Sequence, residues 1–189
     1  MSHQIARRWF NVDEYYRMAQ SGILSEDDRV ELIEGEVIQM SPIGSRHAAC
    51  VGRLTDLLAE ARDRAIVWVQ NPIRIDSYSE PEPDVALLRK RADFYSSSLP
   101  TPVDVLLVIE VADTSVEYDR DTKIPLYAAA GIAEALLVNL PGDVIEYYSE
   151  PVGGRYQAVR IIHRGESFTS QVVTGVTLSV EKILGERGS

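Results

Sequence analysis

The spacing of apolar residues predicts a mixture of strands and helices. A helix is expected from Asn11 to about Ser21, where an Asn11–Glu14 capping pair precedes apolar residues at helical spacing. A longer amphipathic helix is expected over 46–63. The nearly continuous apolar segment 105–111 is typical of a central strand covered on both faces, and a further helix should begin near 119–122 and end at Gly131.

Shorter β-type segments and turn signals occupy most of the remaining chain. A hairpin is expected over 29–40, where Gly35 supplies a positive φ. Strands outnumber helices, so we expect one α/β (α+β) domain over residues 1–189, with a mixed central sheet flanked by two main helices. The other expected elements are strands at 66–70, 73–76, 85–88, 135–140, 144–148, 156–162 and 167–173, and a helical turn at 180–184.

The charge balance adds a constraint on the partners of the protein. Nineteen Lys and Arg against 29 Asp and Glu give a net charge of −10, which argues against non-specific adhesion to nucleic acid or to an anionic membrane. The net charge does not exclude a local basic groove or a metal-binding cluster of carboxylates. Because Cys50 is the one cysteine and residues 1–10 hold no apolar stretch, we expect a reducing, cytoplasmic setting.

Two carboxylates are placed at strand ends. Asp84 follows Pro83 at the start of one strand, and Glu110 lies near the end of the apolar strand. If these strands pair antiparallel, the two carboxylates meet at one edge of the sheet, where a hard cation such as Mg²⁺ or Mn²⁺ would offset their repulsion. Alternatively, Asp84 is only a turn residue and Glu110 pairs with an arginine.

Lys123 is the third candidate. It falls in the first turn of the expected helix, where the helix dipole opposes a cation, and the preceding loop would carry it over the edge at Glu110. Two carboxylates, a lysine and a divalent ion are what phosphodiester hydrolysis requires. The alternative is an exposed pair with Asp119 that contributes a few tenths of a kcal/mol, roughly.

These residues resemble the PD-(D/E)XK nuclease superfamily, and more closely the Uma-type putative restriction endonuclease family. The resemblance covers nearly the whole chain and implies a restriction-endonuclease-like core and Mg²⁺-dependent cleavage of DNA. It is carried by ELIEGEV (31–37), MSP (40–42), RH (46–47), PDV (83–85), VIEV (108–111) with TS (114–115), YDR (118–120) with Lys123, LYAAAGI (126–132) and VNL (138–140).

The resemblance also assigns roles to single residues. Asp84 and Glu110 match the metal-binding pair, Lys123 matches the lysine of the family's helix, and Glu31 matches an acidic residue that such nucleases recruit to the metal. Ala112 departs from the pattern, because the superfamily usually has a lysine two residues after the glutamate. Glu31 could instead be a strand-edge charge beside Arg29.

Together these features predict a metal-dependent DNA endonuclease. Asp84, Glu110 and Glu31 would hold the metal, Lys123 would stabilise the transition state, and cleavage of two strands suggests a homodimer. A non-catalytic scaffold of the same fold, or a hydrolase of RNA or of a smaller phosphodiester, stays open. His47 is either a core or helix-start residue or a phosphate contact, and candidates for gripping DNA are Arg46, Arg53, Arg74, Arg89 and Arg91.

Overall fold

The computed structural model of the protein describes residues 7–25 and 27–186. The expected terminal segment 1–10 therefore lies partly outside the described residues. Five helices are labelled α1 (Val12–Gln20), α2 (Ser45–Leu57), α3 (Val116–Tyr118), α4 (Ile124–Ala129) and α5 (Val180–Leu184). Ten strands are labelled β1 (Val30–Ile33), β2 (Glu36–Gln39), β3 (Ala65–Val69), β4 (Val85–Arg89), β5 (Val105–Ala112), β6 (Glu134–Asn139), β7 (Val144–Val152), β8 (Arg155–Ile162), β9 (Ser167–Thr169) and β10 (Thr177–Ser179).

A six-stranded mixed sheet forms the centre of the fold, in the order β3-β4-β5-β6-β7-β8. β5 and β6 are parallel, and the other neighbouring pairs are antiparallel. All eight residues of β5 are buried, as its continuous apolar sequence predicts. The α/β class, with its mixed central sheet and flanking helices, is therefore confirmed.

The two faces of the sheet carry different helices. Alternate residues such as Leu107 and Ile109 pack in one core cluster with α2 and α5, whereas Val108 and Ala112 pack in a second cluster with α4. Because side chains of a strand alternate between its two faces, this division follows from the apolar run that gives β5 its burial. The sheet therefore lies between two helical layers.

The hairpin of β1 and β2 forms at the expected place. Glu34 and Gly35 both have positive φ, 49° and 82°, as a tight two-residue connection requires. Gly35 also leaves no room for a side chain, because an added Cβ would lie 2.7 Å from Cβ of Trp9. The hairpin carries Glu31 toward the central sheet. The capping box of α1 is also present, with Glu14 N–H donating to Asn11 at 2.9 Å.

Two expected strands differ in the structure. Residues 73–76 form a loop, because Ile75 and Asp76 both donate backbone hydrogen bonds to the Ser79 carbonyl and close the segment on itself. Ile73 still enters the core, which explains its strand-like apolar spacing. The expected strand 167–173 stops at Thr169 and pairs with β10, which sequence periodicity did not reveal. The helix expected over 46–63 ends at Leu57 and continues as a 3-10 turn, Leu58–Ala61.

The helix expected from 119–122 begins earlier and is irregular. α3 and α4 are joined by a π-helical turn, Asp119–Lys123, in which the Ile124 N–H bonds to the Asp119 carbonyl. Pro125, which lacks an N–H donor, lies two residues after the π turn. Pro125 is therefore deep in a continuous helical segment rather than in its first turn, and the irregular hydrogen bonding accommodates it.

Within residues 7–25 and 27–186, no helix combines the length and the apolar composition needed to cross a bilayer.

Candidate active site

The pairing of β4 with β5 brings Asp84 to the strand that carries Glu110. The two strands are antiparallel with Val85 opposite Ile109, as the sequence argument assumed. The Asp84 carboxylate accepts a hydrogen bond from the backbone N–H of Val111 at 2.8 Å. Asp84 is thus fixed beside the residue that follows Glu110, rather than exposed as a simple turn residue.

Glu110 is buried and paired with Lys123. The lysine ammonium lies 2.9 Å from Oε1 of Glu110 and 3.2 Å from Oε2 of Glu31. Tyr127 donates a hydrogen bond from its hydroxyl to Glu110 at 2.5 Å. The partner of Glu110 is therefore a lysine and not an arginine, and Lys123 is buried rather than exposed with Asp119.

Glu31 reaches this cluster from β1. Its side chain is 3% exposed, which excludes a solvated charge at a strand edge. Besides pairing with Lys123, it accepts a hydrogen bond from the backbone N–H of Glu82 at 3.1 Å. The hairpin, the segment before β4 and the π turn are thereby connected through one carboxylate.

Burial strongly perturbs the ionisation of this cluster. It raises the pKa of Glu110 to about 8, although the charge of Lys123 acts in the opposite direction. For Lys123, burial alone would lower the pKa, but the carboxylate of Glu110 and its neighbours outweigh that effect and raise it well above the ordinary value. Burial also raises the pKa of Asp119 and of Glu82. The cluster therefore contains more acidic groups than its own cations neutralise.

His47 is positioned by Asp84. Its Nε2 lies 3.0 Å from the Asp84 carboxylate, and this hydrogen bond raises the pKa of His47, with burial opposing it. Gln70 also donates to Asp84, at 3.3 Å. The histidine is thus part of the site, where it orients Asp84, rather than a residue that only fills the core.

One pocket with a volume of about 400 Å³ is lined by Glu31, His47, Asp84, Glu110 and Lys123. Six of the lining residues are acidic, against Arg29, Lys123 and His47 on the basic side. In the described part of the chain, no group of three or more His, Cys, Asp or Glu side chains is arranged to hold a metal ion. The oxygen donors nevertheless fit Mg²⁺, which usually binds through one or two carboxylates and completes its shell with water and substrate phosphate. The acidic lining residues are Glu31, Glu82, Asp84, Glu110, Asp113 and Asp119.

The packing around Ala112 explains why a lysine is absent from that position. Ala112 and Glu110 project from the same face of β5, because they are two residues apart. Ala112 is fully buried and shares a core cluster with Ile124 and Tyr127 of α4. The helix that supplies Lys123 therefore fills the space that a long side chain at position 112 would need.

Tyr127 and Glu82 are among the residues of the pocket region that were not predicted as site residues. Tyr127 lies four residues after Lys123, which places both on one helix face. Glu82 lines the pocket two residues before Asp84, and the surrounding prolines were its only signal. Tyr127 in particular donates a hydrogen bond to Glu110, which the sequence identified as a candidate metal ligand.

The arginines expected to grip DNA lie outside this pocket. Arg53 donates to the carbonyls of Ile183 and Leu184, and Arg74 pairs with the buried Glu80. Arg89 and Arg91 are likewise bonded to neighbouring loop groups, whereas Arg46 keeps 62% of its side chain exposed. Arg29, which was not among them, lines the pocket instead.

Comparisons with known proteins identify the family and the fold. Residues 12–181 match the model of the Uma2 family, which is described as "Putative restriction endonuclease". No curated protein matches the sequence. The fold is similar to the crystal structure of a "putative nuclease belonging to DUF820" from Anabaena variabilis, with a TM-score of 0.71 and 14% sequence identity over 93% of this chain and 97% of the other.

Proposed function

The chain belongs to the Uma2 family of putative restriction endonucleases, and from this premise we propose that it is a metal-dependent endonuclease that hydrolyses phosphodiester bonds in DNA. Family membership and fold support a nuclease-like function. The finer assignment depends mainly on one observation, the buried Lys123 ammonium within 2.9 Å of Glu110 and beside a pocket that Asp84 also lines. A lysine far from both carboxylates would have favoured a non-catalytic role.

Asp84 and Glu110 are the residues that would hold Mg²⁺, or Mn²⁺ in its place. Glu31 is the further carboxylate that the family resemblance implies, and it would have to leave its pairing with Lys123 to reach the ion. Hard oxygen donors of this kind suit these ions. Burial raises the pKa of Glu110 to about 8, and a divalent cation would favour its ionised form. When bound, the ion supplies Lewis acidity, which polarises the phosphoryl oxygen and activates water. The carboxylate of Asp84 is already oriented for this role by His47 and by the Val111 N–H.

The remaining residues hold the acids and supply positive charge. Lys123 would place its ammonium near the phosphoryl group, where negative charge accumulates in the transition state. Tyr127 keeps the Glu110 carboxylate in one orientation through its hydrogen bond. Such fixed groups contribute to catalysis because they need no rearrangement as the charge develops.

DNA as substrate must be reconciled with a net charge of −10. The acidic surface predicts weak, salt-sensitive binding through a few local basic groups. Arg29 lines the pocket, and Arg46 is largely exposed at the beginning of α2. We therefore expect DNA affinity to fall steeply between low and physiological salt.

Plasmid nicking tests the proposed function directly. The wild-type protein with Mg²⁺ should convert supercoiled plasmid to the open-circular form, and Asp84→Ala should abolish this while EDTA inhibits the wild type. Asp56→Ala, an exposed change on α2, is the matched control and should retain activity. Equal nicking by wild type and Asp84→Ala would reveal a contaminating nuclease. Absence of nicking by folded wild-type protein would favour the non-catalytic scaffold.

The same assay can test which substrate the protein prefers. Parallel reactions with RNA and with a small phosphodiester would show whether either is preferred to DNA.

Cleavage of both strands requires two active sites, so we propose a homodimer. Light scattering at the concentration used for cleavage would measure its mass, and a monomer that linearises plasmid in one binding event would contradict the dimer.

A further inference from the structure

Two buried polar atoms lack a hydrogen-bond partner among the residues that the structure describes. They are the Tyr118 hydroxyl and Nδ1 of His47. Both residues line the pocket that contains Asp84, Glu110 and Lys123. Buried polar groups in native structures are nearly always paired, so an unpaired one at a pocket wall calls for a partner from outside the chain.

Tyr118 differs from the other tyrosines of the protein. Seven of the nine donate their hydroxyl to a protein oxygen, and Tyr78 is 49% exposed to solvent. Only the Tyr118 hydroxyl is both buried and unpaired within the described residues. The seven paired tyrosines are Tyr15, Tyr16, Tyr95, Tyr127, Tyr147, Tyr148 and Tyr156.

The surroundings of Tyr118 favour a hydroxyl that donates. Burial raises the pKa of the phenol, and the charge of Glu31 acts in the same direction, so the proton is retained. The Lys123 ammonium is already engaged by Glu110 and Glu31. A protonated phenol is therefore an additional donor that this pocket can offer to a ligand oxygen.

We propose that Tyr118 is a substrate contact whose hydroxyl donates a hydrogen bond to an oxygen of the bound phosphodiester. His47, from the first turn of α2, carries the second unpaired atom on the wall of the same pocket. The inference rests on the proposed nuclease function and adds to it a residue that binds the reacting group.

The contact requires a small movement of the pocket wall, because the Tyr118 hydroxyl is closed off from solvent. Residues 41–44 line the same pocket and are all exposed, so no core packing holds them in place. We therefore expect the Tyr118 hydroxyl, which has no hydrogen-bond partner in the free protein, to gain one when DNA binds.

Tyr118→Phe tests this assignment with three measurements. They are melting temperature, affinity for a short DNA duplex by fluorescence anisotropy with Ca²⁺, and plasmid nicking with Mg²⁺. Removing an unpaired hydroxyl should leave the melting temperature unchanged or raise it, while affinity and nicking fall about tenfold or more, as expected for loss of a hydrogen bond to a charged group. Tyr156→Phe is the control, since it removes a bond to the Ile132 carbonyl away from the pocket. It should lower the melting temperature and retain DNA affinity.

The outcomes separate the contact from the nuclease function. Normal affinity and nicking by Tyr118→Phe would overturn the contact and leave the function intact. A melting temperature lowered as much as in Tyr156→Phe would also overturn it, because it would show that the hydroxyl already has a structural partner such as an enclosed water. If folded wild-type protein neither binds nor nicks DNA, both proposals are wrong.

Discussion

The ammonium of Lys123 lies 2.9 Å from the carboxylate of Glu110, and both side chains are buried near the C-terminal end of β5. Glu31 lies 3.2 Å from the same ammonium. One ammonium group is therefore paired with two carboxylates, so loss of the lysine and loss of one acid have different effects on the charge balance. Removing the lysine leaves two acids unpaired, whereas removing either acid leaves a balanced pair.

Lys123→Met should therefore be strongly destabilising. It leaves Glu31 and Glu110 buried without a counter-ion, and breaking a buried pair in this way costs about 3–5 kcal/mol. Urea unfolding followed by circular dichroism would measure the loss. Lys182→Met, at an exposed position on α5, is the control and should change the free energy of unfolding by less than about 0.5 kcal/mol. Equal stability of the two variants would contradict the paired role of Lys123.

Glu110→Gln should have the opposite effect on stability. Burial raises the pKa of Glu110 from 4.5 to about 8, so its contribution to stability is present below pH 4.5 and is lost as the pH rises toward 8. Glutamine has no proton to lose and leaves Lys123 paired with Glu31. We expect the variant to match or exceed the metal-free wild type in stability at pH 8, and to lack nuclease activity.

The measurement for this variant is urea unfolding from pH 5 to 8 in EDTA. The wild type should become less stable across this range, and Glu110→Gln should show a shallower slope. The exposed change Glu60→Gln should follow the wild type. Wild-type stability that increases steadily from pH 5 to 8 would show that Glu110 is not the dominant titrating group.

Tyr127→Phe should lower both stability and activity. The hydroxyl donates to a buried carboxylate, and a bond to a charged group contributes about 1.5–3 kcal/mol. Tyr147 makes a comparable buried bond to Glu134, at 2.7 Å, on a part of the sheet outside the pocket. Tyr147→Phe should lose similar stability but keep plasmid nicking. If the two variants retain equal activity, Tyr127 has no role in orienting Glu110.

Gly35→Ala should destabilise the hairpin that carries Glu31. Its φ of 82° strains any L-residue by about 1 kcal/mol, and the added Cβ would lie 2.7 Å from Cβ of Trp9. The clash should add a further ~1–3 kcal/mol. Gly22→Ala has a similar φ of 76° with no heavy atom within 4 Å of its added Cβ, so it isolates the backbone cost. Equal thermal unfolding of both variants would exclude the clash.

Much of the fold could be predicted because its signals are local. The apolar run of β5 and the Glu34-Gly35 turn each specify a conformation within a few residues. The strand β10 depends instead on its pairing with β9, and the loop at 73–76 depends on the hydrogen bonds that fold it back onto Ser79. Their sequence patterns alone could not distinguish these outcomes, because Ile73 contributes a buried side chain in either conformation.

The candidate site was predictable to a similar extent. The antiparallel pairing of β4 and β5 brings Asp84 to the strand of Glu110, and both residues stood out as carboxylates at the ends of apolar strands. The contact of Tyr127 with Glu110 depends on how one helix lies across the sheet. Sequence spacing shows that Tyr127 shares a helix face with Lys123, but it does not show which strand residue that face meets.

The π-helical turn Asp119–Lys123 restricts insertions and deletions in this part of the chain. A π turn holds one residue more than an α-turn of the same rise, so it has the form of a single-residue insertion absorbed within a helix. Deleting Asp121 or Thr122 would restore regular α-helical geometry and leave the flanking halves near their present orientation, but it would shorten the separation of Arg120 and Lys123 from three residues to two. Lys123 could then no longer face Glu110 while Arg120 still reaches Glu146, to which it is paired on β7. The length of this five-residue turn is therefore constrained together with the identity of Lys123 within it.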